Sequence, residues 1–483
     1  MKKYNKVNRE DYQKWYQENR EYRERVQDDK YRLAYHLMPE TGWLNDPNGL
    51  CQLNGIYHIY YQYTPFEPTG EIKLWGHYTT RDFVHYTMEE PVLFPDRGFD
   101  AHGVYSGSAF VEDGVIHYFY TGNVKRFDRD DYDYIMGGRE SNTVCFDSRD
   151  GFAFSGKELL MTNKDYPPDM SCHIRDPKIF KHGADYYMVL GARDADGKGM
   201  VLLYQSEDLK TWGYRSRITT EETFGYMWEC PDLFTLDGQM CLICCPQGVE
   251  SRGVDFQNVH QCTYMHLDYD FKDDSYTIDS PKDITMVDRG FDFYAPQSFE
   301  DEGKRRILIG WMGIPDADYT NPTTQAGWQH ALTIPRILHM DQGKLIQTPA
   351  EELYEMRKNQ RDYTLESLDA AGEKGIVYEA CIKFDLCRSM TMTLRPGVTL
   401  VYRDGLLTLD LGDKGCGRTS RSVELESLRE LQIFSDTSSL EIFVNGGREV
   451  FTTRVYCLEG EMQVAGECSG TAVLYDLSGF IYQ

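Results

Sequence analysis

A chain of 483 residues with 41% apolar side chains can bury a large core, which excludes an intrinsically disordered protein. Its formal charge of -26, from 77 acidic against 51 basic residues, excludes a polyanion partner, because affinity for nucleic acid is built from clustered lysine and arginine. No apolar run reaches the length of a membrane span, no apolar segment follows Lys2 and Lys3 as a secretory leader requires, and thirteen irregularly spaced cysteines fit a reducing compartment, so a cytoplasmic protein is expected.

Residues 8 to 34 are charged and carry Tyr12, Trp15, Tyr16, Tyr22 and Val26 near one helical face, with Asn8 as an N-cap. This predicts a short helical extension over residues 1–34 that lies on the main body. Next comes Trp43-Leu44-Asn45-Asp46-Pro47-Asn48-Gly49, which places one carboxylate between two amides at the mouth of an alternating run, Cys51 to Gln62, that reads as a hairpin. Taken alone, Asn45-Asp46-Pro47-Asn48 is also an ordinary turn sequence.

From there to about residue 350 one pattern returns five times: a strand, a glycine turn at Gly55, Gly114, Gly183, Gly238 or Gly303, and a second β-rich run. Four-stranded repeats of this length signify propeller blades. The expected fold is therefore all-β, with a five-bladed β-propeller over 35–352 and, where the pattern changes, a β-sandwich over 353–483. In that last part Leu440 to Val444, then Asn445-Gly446-Gly447, then Glu449 to Tyr456 reads as a hairpin with a turn at φ > 0. Cys241 and Cys244 form a C-x-x-C inside an apolar run without a second pair, which reads as strand packing and not as a metal site. No cofactor or metal is expected.

Aligning the repeats on their glycines brings Asp46, Ser106, Asp176, Glu229 and Tyr294 to nearly equivalent places at the mouth of the channel. Three of these are carboxylates, and like charges raise one another's pKa. A retaining glycoside hydrolase needs such a set, with one carboxylate ionised as nucleophile and one carboxyl protonated as acid about 5 to 5.5 Å away. Trp228, Met227 and Cys230 offer Glu229 an apolar collar that predicts a raised pKa and the acid/base role. Asp46, beside amide donors, is expected to stay ionised and attack. Asp176, next to Arg175, is expected to stay charged and to hold sugar hydroxyls in the transition state. On spacing alone the trio reads equally as a structural salt-bridge set.

The motifs Trp43 to Gly49, Tyr61-Gln62-Tyr63, Trp75-Gly76-His77, Tyr105-Ser106-Gly107-Ser108-Ala109, Arg175-Asp176-Pro177 and Trp228-Glu229-Cys230-Pro231, in this order, resemble the β-fructofuranosidase family, glycoside hydrolase family 32. The resemblance runs over about residues 32 to 483. It implies a five-bladed propeller with a C-terminal sandwich, and hydrolysis of terminal β-D-fructofuranosides with retention through a covalent fructosyl-enzyme. It implies Asp46 as nucleophile, Asp176 as transition-state stabiliser and Glu229 as acid/base. Asn45, Gln62, Trp75, Tyr105, Ser106 and Arg175 match positions lining the fructose pocket, and Tyr294 is added from its place in the repeat. The stretches Pro95 to Ser106, Tyr120 to Val124 and Gly225 to Pro231 look like the bacterial sucrose-6-phosphate hydrolase branch, so the expected substrates are sucrose 6-phosphate and sucrose. Lys73, His102, Lys125 and Arg126 are the candidate phosphate contacts, although Glu67 and Glu71 share the loop of Lys73. An exo-fructanase, a fructosyltransferase and a sugar-binding propeller without turnover are the alternatives. The expected partner is a small sugar, with neither nucleic acid nor membrane.

Overall fold

The computed structural model describes residues 6–483; the first five, part of the predicted extension, lie outside the described residues. Helices occupy Arg9–Glu18 and Arg20–Gln27. Asn8 closes a reciprocal cap, its Oδ1 accepting from the Asp11 amide at 2.9 Å while its own amide donates to Asp11 at 3.0 Å. The run is not one helix, because Asn19 turns its side-chain amide back onto the Trp15 carbonyl and leaves helical geometry at φ -113 and ψ 31.

Five antiparallel sheets then follow one another between Gly42 and Pro349. Their first strands are Gly42–Leu53, Val104–Glu112, Met170–His182, Met227–Leu236 and Tyr294–Glu300. Each of these strands packs against the first strands of the sheets before and after it, and the fifth returns to the first. At the Asn54-Gly55, Asp113-Gly114 and Asp237-Gly238 turns both residues have positive φ, the geometry that matches the twist of a tight hairpin. Cys241 and Cys244 share the strand Gln239–Gln247, and their odd separation sends them to different core clusters, so they cannot chelate one ion together.

One irregularity recurs. In every first strand two residues stand opposite one on the neighbouring strand: Asn45 and Asp46, Tyr105 and Ser106, Asp176 and Pro177, Cys230 and Pro231, Ala295 and Pro296. A β-bulge interrupts the ladder and re-aims side chains. Five of them at one level of the ring turn neighbouring side chains toward the same space. Asp176, Cys230 and Ala295 take positive φ there, at 64, 48 and 45.

The C-terminal part is two sheets, one running from Arg357–Thr364 to Glu449–Arg454 and one from Ser420–Glu424 to Gln463–Ala465, closed over Ile382, Met392, Leu400, Leu409, Ile433 and Ile442. The Ser439–Val444 and Glu449–Arg454 hairpin turns through Asn445, Gly446 and Gly447, all at positive φ, as its sequence predicts.

Its seam with the five sheets is polar and buried. Arg336 reaches Asp288 at 3.0 Å and Glu441 at 2.5 Å, Arg418 grips both oxygens of Asp292 at 2.7 Å, and His36 sits between Asp436 at 2.7 Å and Glu441 at 3.0 Å, all fully buried. Two short strands close the first sheet: Trp328–Gln329 runs parallel to its inner strand and Ile481–Tyr482 parallel to its outer one.

Candidate active site

The bulges bring the three carboxylates into one buried, polar space. Asp46 accepts from the Asn45 amide at 3.0 Å and from the Ser106 hydroxyl. Those two groups are held in turn by Gln62, whose carbonyl oxygen accepts from Asn45 at 2.8 Å and whose NH₂ donates to Ser106. Trp43 donates from its indole to Asn45 at 2.8 Å and packs on His330 and Trp311, which forms an aromatic wall beside the nucleophile candidate. Asp176 accepts from the Cys230 amide at 3.0 Å, and the Cys230 thiol lies 3.6 Å from Asp176 and 3.7 Å from Asp46, between the two. Glu229 takes the Arg175 fork on one oxygen, at 2.5 and 3.0 Å, and Tyr294 at 2.6 Å with Gln247 at 2.7 Å on the other.

The five aligned residues converge, with an offset. Asp46 and Ser106 are second in their bulges, Asp176 is first, and Glu229 and Tyr294 stand one residue before theirs. Trp75 is fully buried, among Tyr60, Tyr120 and Phe146, and donates to the Tyr105 carbonyl at 3.2 Å, so it backs the site instead of lining it. The half-buried Tyr105 ring lies under the Arg139 guanidinium, 5.1 Å away.

Two electrostatic expectations are reversed. Burial pushes Glu229 up, but the Arg175 charge and the hydrogen bonds from Tyr294 and Arg175 outweigh it and hold the carboxyl below its ordinary value. The apolar collar is real, with Trp228 and Met227 fully buried. The arginine beside the carboxylate decides the sign. Arg175 stands 4.0 Å from Asp176 and so shields it less; burial, with the charges of Glu229 and Asp46, raises Asp176 to about 7 despite Arg175. Asp46 is also raised, by burial first, while Ser106 and Asn45 pull it back.

Among the four candidate phosphate contacts, Arg126 is committed to Glu140 at 3.0 Å. Lys73 lies 4.9 Å over the Trp43 ring within the field of Asp46, and burial brings its pKa down to about 7, which makes it a weak anchor for a dianion. Lys125 donates its amide to His102 Nδ1 at 3.1 Å, and its side chain has no ion pair among the described residues. Reading the sequence missed Cys230 as a bridge between the aspartates, and Gln247 and His173 in the second layer. The cysteine lies inside the Trp228 to Pro231 motif, and only the strand register shows that it points inward.

Residues 36–349 match the family model for the N-terminal domain of glycosyl hydrolases family 32, and residues 402–475 match the family's C-terminal model. The sucrose-6-phosphate hydrolase of Bacillus subtilis (strain 168) is 38% identical over 458 residues, 92% of each chain. That of Vibrio alginolyticus is 38% identical over 449 residues, 89% of this chain and 87% of the relative. The solved structure of sucrose-6-phosphate hydrolase from Lactobacillus gasseri superposes with a TM-score of 0.88 at 28% identity, covering 98% of this chain and all of the other. A Bombyx mori GH32 β-fructofuranosidase superposes at 0.81 and 27% identity, covering 96% of this chain and 99% of that one. With both family domains present in order around a carboxylate site, this chain belongs to glycosyl hydrolase family 32.

Proposed function

We propose that this protein is a retaining β-fructofuranosidase whose preferred substrate is sucrose 6-phosphate, with sucrose as a second substrate. The observation that carries the reading is the convergence of Asp46, Asp176 and Glu229 at or beside the bulges of the first, third and fourth sheets, in a chain 38% identical to relatives named for that substrate. The five sheets with touching inner strands are read as a five-bladed propeller over 35–352, followed by a sandwich over 353–483 and preceded by the helical extension 1–34. A phosphorylated sugar arises inside the cell, and thirteen free thiols suit that compartment. No helix among the described residues is long and apolar enough to cross a membrane.

In the mechanism, Glu229 gives its proton to the glycosidic oxygen as the bond from fructosyl C2 breaks, and the Asp46 carboxylate attacks C2 to form a fructosyl ester. Glu229, now ionised, takes a proton from water, which attacks C2 and releases fructose and free Asp46. Asp176 holds sugar hydroxyls while C2 carries positive charge.

Arg175 holds Glu229 below its ordinary value while burial raises both aspartates. Sugar hydroxyls donated to Asp46 and Asp176 favour their ionised forms, and a sugar that covers Glu229 adds to the cost of its charge, which shifts the proton toward the acid. Asn45, Gln62 and Ser106 position Asp46; Arg175 and Tyr294 position Glu229; Tyr105 shapes the pocket wall, and Trp75 supports it from behind. Lys125 and His102 lie at the rim, where a cation draws in a dianion.

The test is kcat/KM for sucrose 6-phosphate against sucrose. At least about tenfold in favour of the phosphorylated sugar is expected, a difference of about 1.4 kcal/mol. Equal values would make the protein an invertase, and better turnover of longer fructans an exo-fructanase.

A further inference from the structure

In a protein with 77 acidic against 51 basic residues, several buried arginines meet carboxylates, as Arg336 meets Asp288 and Glu441, Arg418 meets Asp292, and Arg289 meets Glu449. Buried Arg395 and Arg454 turn instead to backbone carbonyls and to the hydroxyls of Ser435 and Ser438. Arg139 and Arg193 do neither. Among the described residues neither has an ion pair. Arg139 is 2% exposed; its Nε donates to Asn123 at 2.6 Å, its guanidinium lies over the rings of Tyr134 and Tyr105 at 4.8 and 5.1 Å, and its buried Nη1 has no partner. Arg193 is half-buried over the Tyr226 ring at 4.8 Å, with a buried Nε that also lacks a partner.

His173 stands with them. It is 8% exposed, edge-on to Tyr134 at 5.2 Å, and its Nδ1 faces Arg175 Nη1 at 3.1 Å. Arginine can only donate, so Nδ1 accepts and the ring proton sits on Nε2. Burial, then the charges of Arg175, Arg139 and Arg193, drives the imidazole pKa down to about 2, which keeps it in that neutral form. Nε2 is buried and has no partner. Three strands thus bring three unanswered N–H donors into one neighbourhood, in which both guanidinium charges act on His173, and a buried unanswered donor costs about 1 to 3 kcal/mol. Asp133, an acid that feels the Arg193 charge, has its carboxylate turned to the amides of Ile135 and Met136 at 2.8 and 2.9 Å.

Position relative to the carboxylates decides what the donors meet. Cys230 joins Asp46 to Asp176; Arg175 lies beside Asp176 and binds Glu229; His173 binds the far side of Arg175. Moving away from the nucleophile, the order is Asp46, Asp176, Glu229 with Arg175, then His173 with the two arginines. The acid protonates the leaving group, so what lies beyond it is leaving-group space. In sucrose 6-phosphate the phosphate is on the glucosyl unit, which is the leaving group.

We propose that Arg139, His173 and Arg193 form the phosphate subsite for the glucosyl 6-phosphate, two guanidinium groups and one neutral imidazole N–H donating to the dianion. The assignment rests on the phosphorylated-sugar reading and adds where specificity resides. Arginine suits the task because its planar fork matches phosphate oxygens and keeps its charge.

The test uses Arg193→Met, a half-buried position whose loss spares the core, with Arg193→Lys as the conservative variant and Arg139→Met as the second site. In Arg193→Met the ratio of kcat/KM for sucrose 6-phosphate to that for sucrose is expected to fall by about 10- to 100-fold, with partial recovery in Arg193→Lys. A ratio unchanged in Arg193→Met and in a folded Arg139→Met would overturn the subsite while leaving the enzyme reading in place. The second arm does not depend on substrate preference: inorganic phosphate and glucose 6-phosphate should compete with sucrose in the parent and at least about tenfold more weakly in Arg193→Met. Failure of both anions to compete in the parent, or equal competition in the variant, also overturns it.

Discussion

Glu229 and Asp176 show how one guanidinium decides which of two carboxyls keeps a proton. Arg175 lies 2.5 Å from the first and 4.0 Å from the second, and the two are displaced in opposite directions. If Glu229 is the acid, Glu229→Gln should slow cleavage of sucrose by about 10²- to 10⁴-fold, and cleavage of a fructoside with a good leaving group at least about tenfold less, with azide restoring part of the second step. Equal losses on both substrates would remove the role. Asp176→Asn should lower kcat by about 10²- to 10³-fold with little change in KM, as for a group that binds in the transition state. It also deletes a negative charge beside Glu229 and Asp46, whose proton affinities must then drop. The alkaline limb of kcat/KM should therefore move to lower pH, by about one unit. A limb that stays in place would mean that Asp176 takes no part in the shared titration.

At the scale of elements the repeated bulge is what turns a sheet into a site. Its signature is partly visible in sequence: Pro177, Pro231 and Pro296 each end a bulge and Pro47 follows the first. A proline has no N–H for the ladder and is tolerated where pairing lapses. The strands, glycine turns and family motifs were legible because each is a local pattern. The bulges' two-for-one register, the inward aim of Cys230, the partner of Arg175 and the break at Asn19 were not, because each depends on what another strand or side chain presents. The strain at these bulges can be measured. Ala295 is buried at φ 45, where a β-branched residue clashes and glycine is at ease. Ala295→Val should lower stability by about 2 kcal/mol, and Ala295→Gly, which elsewhere in a strand costs about 0.5 to 1 kcal/mol, should cost nothing measurable by denaturant melting. A costly glycine would show that the methyl's packing outweighs the backbone.

Over the whole molecule the buried seam couples the sandwich to the five sheets. His36 bonds both Asp436 and Glu441. Burial opposes its charge, yet the two carboxylates raise its pKa, and His36 in turn helps to hold theirs below the ordinary range against the same burial. The signs give stability two edges. The carboxylate contribution is present above the unfolded carboxyl values and is lost as pH falls through the lowered folded ones. The histidine contribution is complete below its unfolded value of 6.5 and is lost as pH rises through the raised folded one. His36→Gln should cost about 3 to 5 kcal/mol near neutrality, since it strands buried charge, and should flatten the alkaline side of the Tm profile. A variant as stable as the parent would show that the seam is held by Arg336 and Arg418 alone.

The sheet that carries Asp46 is begun early in the sequence and finished late. Its inner edge waits for Trp328–Gln329 and its outer edge for Ile481–Tyr482, whose amide donates to the Val84 carbonyl at 3.0 Å. A chain emerging residue by residue from the ribosome therefore makes Asp46 long before it can complete the sheet around it. Activity should be absent from nascent chains stalled anywhere short of that last strand and should arise in one step once the strand has emerged.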